Sequence, residues 1–410
     1  VGSHISAGDT AFVLAAAALV MFMTPGLALF YGGMVRTKNV LGTIIQSMFL
    51  VAMVSVLWTV VGYSLAFGPD RGHVVGSLTW VGLRGVGQTP NPGYATTIPH
   101  LAFMAFQCMF AIITPALITG AFAERVRFPA FVVAMALWSL LVYAPIAHWV
   151  WGVGGWLRNM GVLDFAGGIV VHASSGAAAL AAVLVIGPRR GYGASLFVSH
   201  NLPLTVLGAG ILWFGWFGFN AGSALAANGL ACSAFVVTNV AASAAMLTWL
   251  LAEWLHHGKP TTLGAVSGAV AGLATITPAS GFVAPMSALA IGALAGLACY
   301  AAVQAKWRMG YDDSLDVVGI HGVGGVLGVL ATGVFASRLV NGAGADGALF
   351  GNPAQLATQA VAVAAAVGYS FAASWLLFKL VDAVMGLRVR EGDEEMGVDM
   401  SQHSEAAYGF

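Results

Sequence analysis

Asp164-Phe-Ala-Gly-Gly-Ile-Val-Val-His172-Ala-Ser-Ser-Gly-Ala-Ala-Ala-Leu-Ala-Ala-Val-Leu-Val-Ile186 is the stretch on which the reading of the chain turns. From Gly168 to Ile186 it is apolar or small almost throughout, close to the ~20 residues a helix needs to cross a bilayer. Its one ionisable group near the centre is His172, and a carboxylate, Asp164, stands at its mouth. Ionisable groups at membrane depth are costly and mark functional sites by default.

Ten further runs of this kind surround it: Ala11–Tyr31, Val40–Ala66, Pro99–Phe122 and Pro129–Trp149 before; Leu202–Asn220, Ala231–Leu255, Thr262–Thr277, Pro285–Ala305, Gly319–Phe335 and Gln355–Met385 after. The eighth is short and Gly-rich. Composition agrees: 59% of the 410 residues are hydrophobic and 8% charged, against about 25% charged in soluble domains, and mean hydropathy is +0.86. With 16 basic and 16 acidic residues the chain cannot solvate an ordinary globular surface, and zero net charge leaves no basic face for nucleic acid. The class is an all-α polytopic membrane protein.

Loop charge orients the helices. Arg36, Lys38, Arg125, Arg127, Arg189, Arg190, Lys259, Lys306, Arg308, Lys379, Arg388 and Arg390 fall on one side; Arg71, Arg84, Arg158 and Arg338 fall on the other. Positive charge stays inside, so the N-terminus is expected outside and the C-terminus inside. The alternation never breaks across eleven spans, which supports the count. Residues 1–385 then form the transmembrane unit and 386–410 an acidic cytoplasmic tail. Val1-Gly-Ser-His4 reads as a cloning scar, set aside for fold reasoning, and no signal-peptide pattern opens the chain.

A weak repeat appears on splitting after the fifth span. Asp164-Phe-Ala-Gly-Gly precedes His172, and Asp316-Val-Val-Gly precedes His321 in the tenth span. Five is odd, so the two halves enter the membrane with opposite polarity, leaving the eleventh helix as an extra brace. Inverted repeats of this kind place a transport pathway at their interface near the midplane. The Gly264/Gly268/Gly272, Gly292/Gly296 and Gly324/Gly328 series read as close helix packing.

His172 and His321 are the ionisable groups near helix centres. Neutral imidazole offers one donor and one acceptor, so two can bond each other and still present a polar edge; hydrogen-bond glue between helices is the plainer alternative. Cys108, Cys232 and Cys299 lie in apolar runs without disulfide or metal spacing, and no cofactor is implied. Nucleophile and phosphate-loop motifs are missing, which disfavours an enzyme. Trp216-Phe-Gly-Phe-Asn-Ala-Gly-Ser223 ends a helix with aromatics, an amide and a hydroxyl, groups that suit a small cation shedding water. Asp164 fits a helix cap and, alternatively, a support for a cation site.

At this point the chain resembles the ammonium transporter family (Amt, Mep and Rh proteins), most of all its bacterial and archaeal Amt branch. The strings are Pro25-Gly-Leu-Ala-Leu-Phe-Tyr-Gly-Gly-Met-Val-Arg36-Thr-Lys-Asn39, Ala123-Glu-Arg-Val-Arg-Phe128, Ala147-His-Trp-Val-Trp151-Gly and Leu163-Asp-Phe-Ala-Gly-Gly-Ile-Val-Val-His172. Gly215-Trp-Phe-Gly-Phe-Asn-Ala-Gly-Ser223, Val318-Gly-Ile-His321-Gly-Val-Gly-Gly, Gly386-Leu-Arg-Val389 and Gly397-Val-Asp-Met-Ser-Gln-His-Ser-Glu405 continue it to the tail. The resemblance implies eleven helices, inverted repeats and a homotrimer in the inner (plasma) membrane. It implies recruitment of ammonium at Trp151, Phe110 and Ser223 with Asp164 behind, a gate at Phe110 and Phe219, and a pore at His172 and His321 with Trp216 on its wall. In such a pore NH4+ gives up a proton and NH3 passes between apolar walls, which potassium cannot imitate. The tail is expected to pack across neighbouring subunits. Loop 191–200 is less charged than the resemblance implies, which counts against a PII-type signalling partner. The alternative function is an ammonium sensor on the same fold, as the membrane part of a longer signalling protein.

Overall fold

The structure, a computed structural model, describes residues 4–409; Val1, Gly2 and Ser3 of the opening tetrapeptide lie outside the described residues. Ten helices among these residues are long and apolar enough to cross a membrane: Ala7–Met34, Thr37–Phe67, His100–Thr119, Phe128–Asn159, Gly168–Ile186, Leu202–Gly222, Gly229–His257, Pro285–Met309, Val318–Phe335 and Pro353–Met385. Thr262–Ile276 is the shorter apolar helix. In chain order these are spans 1 to 11, with Thr262–Ile276 as span 8. The backbone must satisfy itself inside lipid, and helices do so without partners.

The departures from the expected runs have local causes. Span 3 stops at Thr119, short of Phe122, because the chain turns through Gly120–Glu124. There Glu124 takes a positive φ of 76° and its buried carboxylate meets Arg36 and Arg189. Span 4 continues beyond Trp149 to Trp151, breaks at Gly152, and adds one turn over Trp156–Asn159. The loop after span 2 holds a short hairpin, Asp70–Arg71 against Val75–Gly76.

The glycine series do pack closely. A Cβ on Gly268 would lie 2.6 Å from that of Trp249, one on Gly272 2.6 Å from the Ala241 carbonyl, and one on Gly324 2.9 Å from Thr275 Oγ1. Gly292 and Gly296 meet the same span 7 face, at Ala241 and Thr248. Backbones approach this closely only where a side chain is missing.

Spans 5 and 10 cross at the centre. Gly176 abuts Gly322, while Gly325 abuts His172 and Ala173, so the two helices run in opposite senses. Each of these positions lies one constant offset, 149 residues, from its counterpart, as His172 does from His321. The same offset carries Asp164 onto Asp313. The repeat drawn from sequence therefore needs one correction: it aligned Asp164 with Asp316. Asp313 accepts the Val318 amide at 2.7 Å, whereas Asp316 sits at positive φ and pairs with Lys306.

Loops 35–39, 120–127, 187–201 and 310–317 converge with the tail at one end of the bundle. Asp312 accepts three bonds from Arg189 at 2.7–2.9 Å, and the fully buried Arg125 reaches the carbonyls of Ala121, Ala123 and Asp312. Burial pushes the Glu124 carboxyl up, but Arg189 and Arg36 outweigh it and hold the group below its ordinary range. The tail docks here on its own chain. Glu394 takes the Arg190 amide at 2.7 Å and the Arg388 guanidinium at 2.8 Å; Asp399 caps Leu41 and Gly42 at 3.0 and 2.7 Å.

Candidate functional site

Both histidines lie where their helices open into a wide turn, Gly168–Ala173 and Val318–Gly322. In span 5 the His172 amide reaches back to the Gly167 carbonyl at 3.1 Å, one residue further than in an α-helix. Such turns recur at functional positions because they swing a side chain off the regular helix face. Here the two rings meet: Nδ1 to Nδ1 is 3.2 Å, the planes are 18° apart, and both side chains are buried. One Nδ1 must donate and the other accept, so the pair holds two different tautomers. His172 Nε2 has no protein partner.

The rings line a narrow space barely wide enough for one water-sized molecule, walled by Leu27, Ile113, Leu117, Val171, Leu212 and Trp216. Among the described residues lining it, the imidazoles supply the polar edge. Trp216 stacks on His172 with centroids 5.4 Å apart, and its indole N–H is held by Thr277 Oγ1 at 2.9 Å. Phe219 lies over the same ring at 6.1 Å.

Phe110 covers Phe219 with centroids 4.3 Å apart, closing the space from one side. Beyond it opens a cavity of about 300 Å³ that brings together Phe110, Trp151, Asp164 and Ser223. Trp151 presents its ring edge-on to Phe110 at 5.8 Å and donates its indole N–H to the Asp164 carbonyl at 2.9 Å. Ser223 donates its hydroxyl hydrogen to the Phe219 carbonyl at 2.9 Å, so its lone pairs are free to accept. Asp164 accepts four amides, of Gly167, Gly168, Ile169 and Val170, at 2.7–3.2 Å. Its carboxylate is a cap, and only its main-chain oxygen touches the aromatic cage.

The structure brings Trp151, Phe110, Ser223 and Asp164 together around the outer cavity and Phe219, Trp216, His172 and His321 around the inner space. Sequence reading missed Gln107, Tyr94 and Arg158 in the outer cavity. Gln107 points a carbonyl oxygen without a protein partner; one polar residue in an apolar run was its only signal. Arg158 bonds the Trp151 carbonyl at 2.6 Å and lies over Tyr94, so this mouth carries a fixed positive charge as well as the acidic cap.

With that geometry in view, comparisons with known proteins agree. The profile described as Ammonium Transporter Family matches residues 11–408. An ammonium transporter of Bacillus subtilis is 51% identical over 98% of both chains, and ammonium transporter Amt1 of Archaeoglobus fulgidus is 48% identical over 98% of this chain and all of its own. The crystal structure of Saccharomyces cerevisiae Mep2 superposes with a TM-score of 0.90 at 36% identity, covering 95% of this chain and 89% of Mep2. The chain belongs to the ammonium transporter family.

Proposed function

We propose that this membrane transporter of ammonium recruits NH4+ in the cavity of Trp151, Phe110 and Ser223, removes one proton beneath Phe110 and Phe219, and passes NH3 along His172 and His321. One observation carries the reading: a narrow apolar space whose polar lining is a bonded pair of imidazoles lies beneath two phenyl rings in face contact, Phe110 and Phe219, tilted by 39°. A bare cation loses several kcal/mol of hydration in such a space, and no carboxylate or carbonyl ring there replaces it. Ammonium escapes this cost by shedding a proton; potassium cannot.

Trp151 and Phe110 offer ring surface and Ser223 a lone pair to a partly dehydrated cation. Asp164 acts from behind by fixing the start of span 5. The orientation with the N-terminus outside, the homotrimer and the plasma membrane belong to the same proposal, supported by loop charge and family likeness. So does the division into a transmembrane unit, 1–385, and a tail, 386–410. A PII-type partner would meet the end where tail and loops converge, where the lightly charged 191–200 loop disfavours it. No enzymatic role is proposed.

The test is current and uptake in liposomes reconstituted with the full chain after ammonium jumps, with potassium as control. Saturable ammonium flux without potassium flux supports the mechanism. Binding without any flux would support the sensor instead.

A further inference from the structure

His148 sits on span 4 one turn before Trp151, and its ring is fully buried. Its Nδ1 lies 2.9 Å from the Ala66 carbonyl oxygen at the end of span 2, and its Nε2 lies 2.9 Å from Asp70 Oδ1. A carbonyl oxygen only accepts, and so does an ionised carboxylate, so both ring nitrogens have to donate. Asp70 is the ionised member. Burial pushes its carboxyl up, but the bonds from His148 and from the His73 amide outweigh that and hold it below the ordinary range.

The chain after Trp151 is moulded around this pair. A Cβ on Gly152 would come within 2.5 Å of His148 Nδ1, one on Gly154 within 2.6 Å of the Asp70 Cβ, and one on Gly155 would fall on the His148 carbonyl. His73 bonds the Gly154 carbonyl through Nδ1 at 2.7 Å, and its own carbonyl takes the Trp156 amide at 3.2 Å. The turn can pass this close to ring and carboxylate because glycines stand at positions 152, 154 and 155.

We infer that His148 is a positioning residue for ammonium recruitment, held as an imidazolium by Asp70 and Ala66 so that the end of span 4 keeps Trp151 edge-on to Phe110. The inference rests on the reading of Trp151 as a recruitment residue. Charged and titratable groups facing the pair, among the described residues, are few. The loop after span 2 supplies Asp70 and His73, span 2 supplies only the Ala66 carbonyl, and the turn after span 4 supplies only backbone; Arg158 lies further on, at the Trp151 carbonyl. Loss of the ring proton leaves one acceptor without a donor and frees the helix end.

The first test is spectroscopic and independent of transport. In full-length protein labelled with 15N-histidine in bilayers, one imidazolium signal is expected to vanish in His148→Gln. In Asp70→Asn it should convert to a neutral ring, since the Asn amide can donate to Nε2. A neutral His148 in the unaltered protein overturns the inference.

The second test is uptake, with each variant referred to the unaltered protein at the same pH so that ammonium speciation cancels. His148→Gln is expected to raise KM about tenfold with maximal flux within about twofold, because a displaced ring forfeits cation–π contact. Asp70→Asn, which leaves the ring neutral but still bonded, is expected to raise KM about threefold. KM unchanged in His148→Gln sinks the positioning role. Trp151→Leu checks the underlying reading by itself: unchanged KM there would refute recruitment by Trp151 while leaving the spectroscopic result standing.

Discussion

Asp164 and Asp313 each stand eight residues before the paired buried histidine of their span, at equivalent places in the two halves. Asp164 spends both oxygens on four amides and supports an aromatic cage. Asp313 takes the Val318 amide, leaves Oδ1 without a partner, and lies beside Lys306 and Asp316. Burial pushes the Asp313 carboxyl up to about 6, with Lys306 pulling it down and Asp316 adding to the rise. The repeat thus preserved the device that starts the helix and the ring it delivers, but not the surroundings. One start lies against the outer aromatic cavity, while the other carries a carboxyl that burial raises to about 6.

The strongest way to break this comparison is to remove each cap. Asp164→Ala orphans four buried amides at about 1–3 kcal/mol each, so the loss is on the order of 4 kcal/mol or more. Uptake should vanish and the melting temperature in detergent should drop sharply. Asp313→Ala should cost less than half as much and leave measurable uptake. Equal damage from the two would erase the distinction.

Next comes the pair the caps deliver. Replacing His172 and His321 together by Ala should cut ammonium uptake roughly a hundredfold, about 2.7 kcal/mol on the barrier, or admit potassium. Flux and selectivity both unchanged would make the imidazoles interhelical glue. The crossing itself offers a smaller, sharper contrast. Gly176→Ala drives a methyl onto the Gly322 backbone, whereas one on Gly322 clears Gly176 at 3.4 Å. Gly176→Ala should therefore cost about 1–3 kcal/mol in thermal stability and Gly322→Ala close to nothing.

The smallest effect is expected from pH. A carboxyl whose folded value lies above its unfolded 3.8 stabilises the fold fully below that value, and the contribution fades as pH rises through about 6. Asp313→Asn, which does not ionise, should melt a few degrees higher than the unaltered protein at pH 8 and lose that advantage by pH 4. A constant difference across this range would place the cause elsewhere.

How much of this was legible beforehand varies with the physics. Span 5 and span 10 were plain, because lipid forces long apolar helices regardless of neighbours. Trp151, Phe110, Ser223, Phe219, Trp216 and the histidines were reached through aromatic clustering and family strings. The wide turns at Gly168–Ala173 and Val318–Gly322 left no trace in residue pattern, since any of these residues could continue an α-helix. Asp313 was passed over for Asp316 because both precede the span, and only the direction of the carboxylate separates them. His148 lay inside a family string without a role, its partner Asp70 being 78 residues away.

Sequence alone determined that the chain lives in a membrane, where its helices lie and which ionisable groups reach their centres, because hydration cost is a property of each segment taken singly. Tertiary structure alone decided which ring nitrogens must carry protons and which way each ring faces. Those depend on hydrogen-bond partners that distant segments bring within about 3 Å, and no segment holds both halves of such a bond.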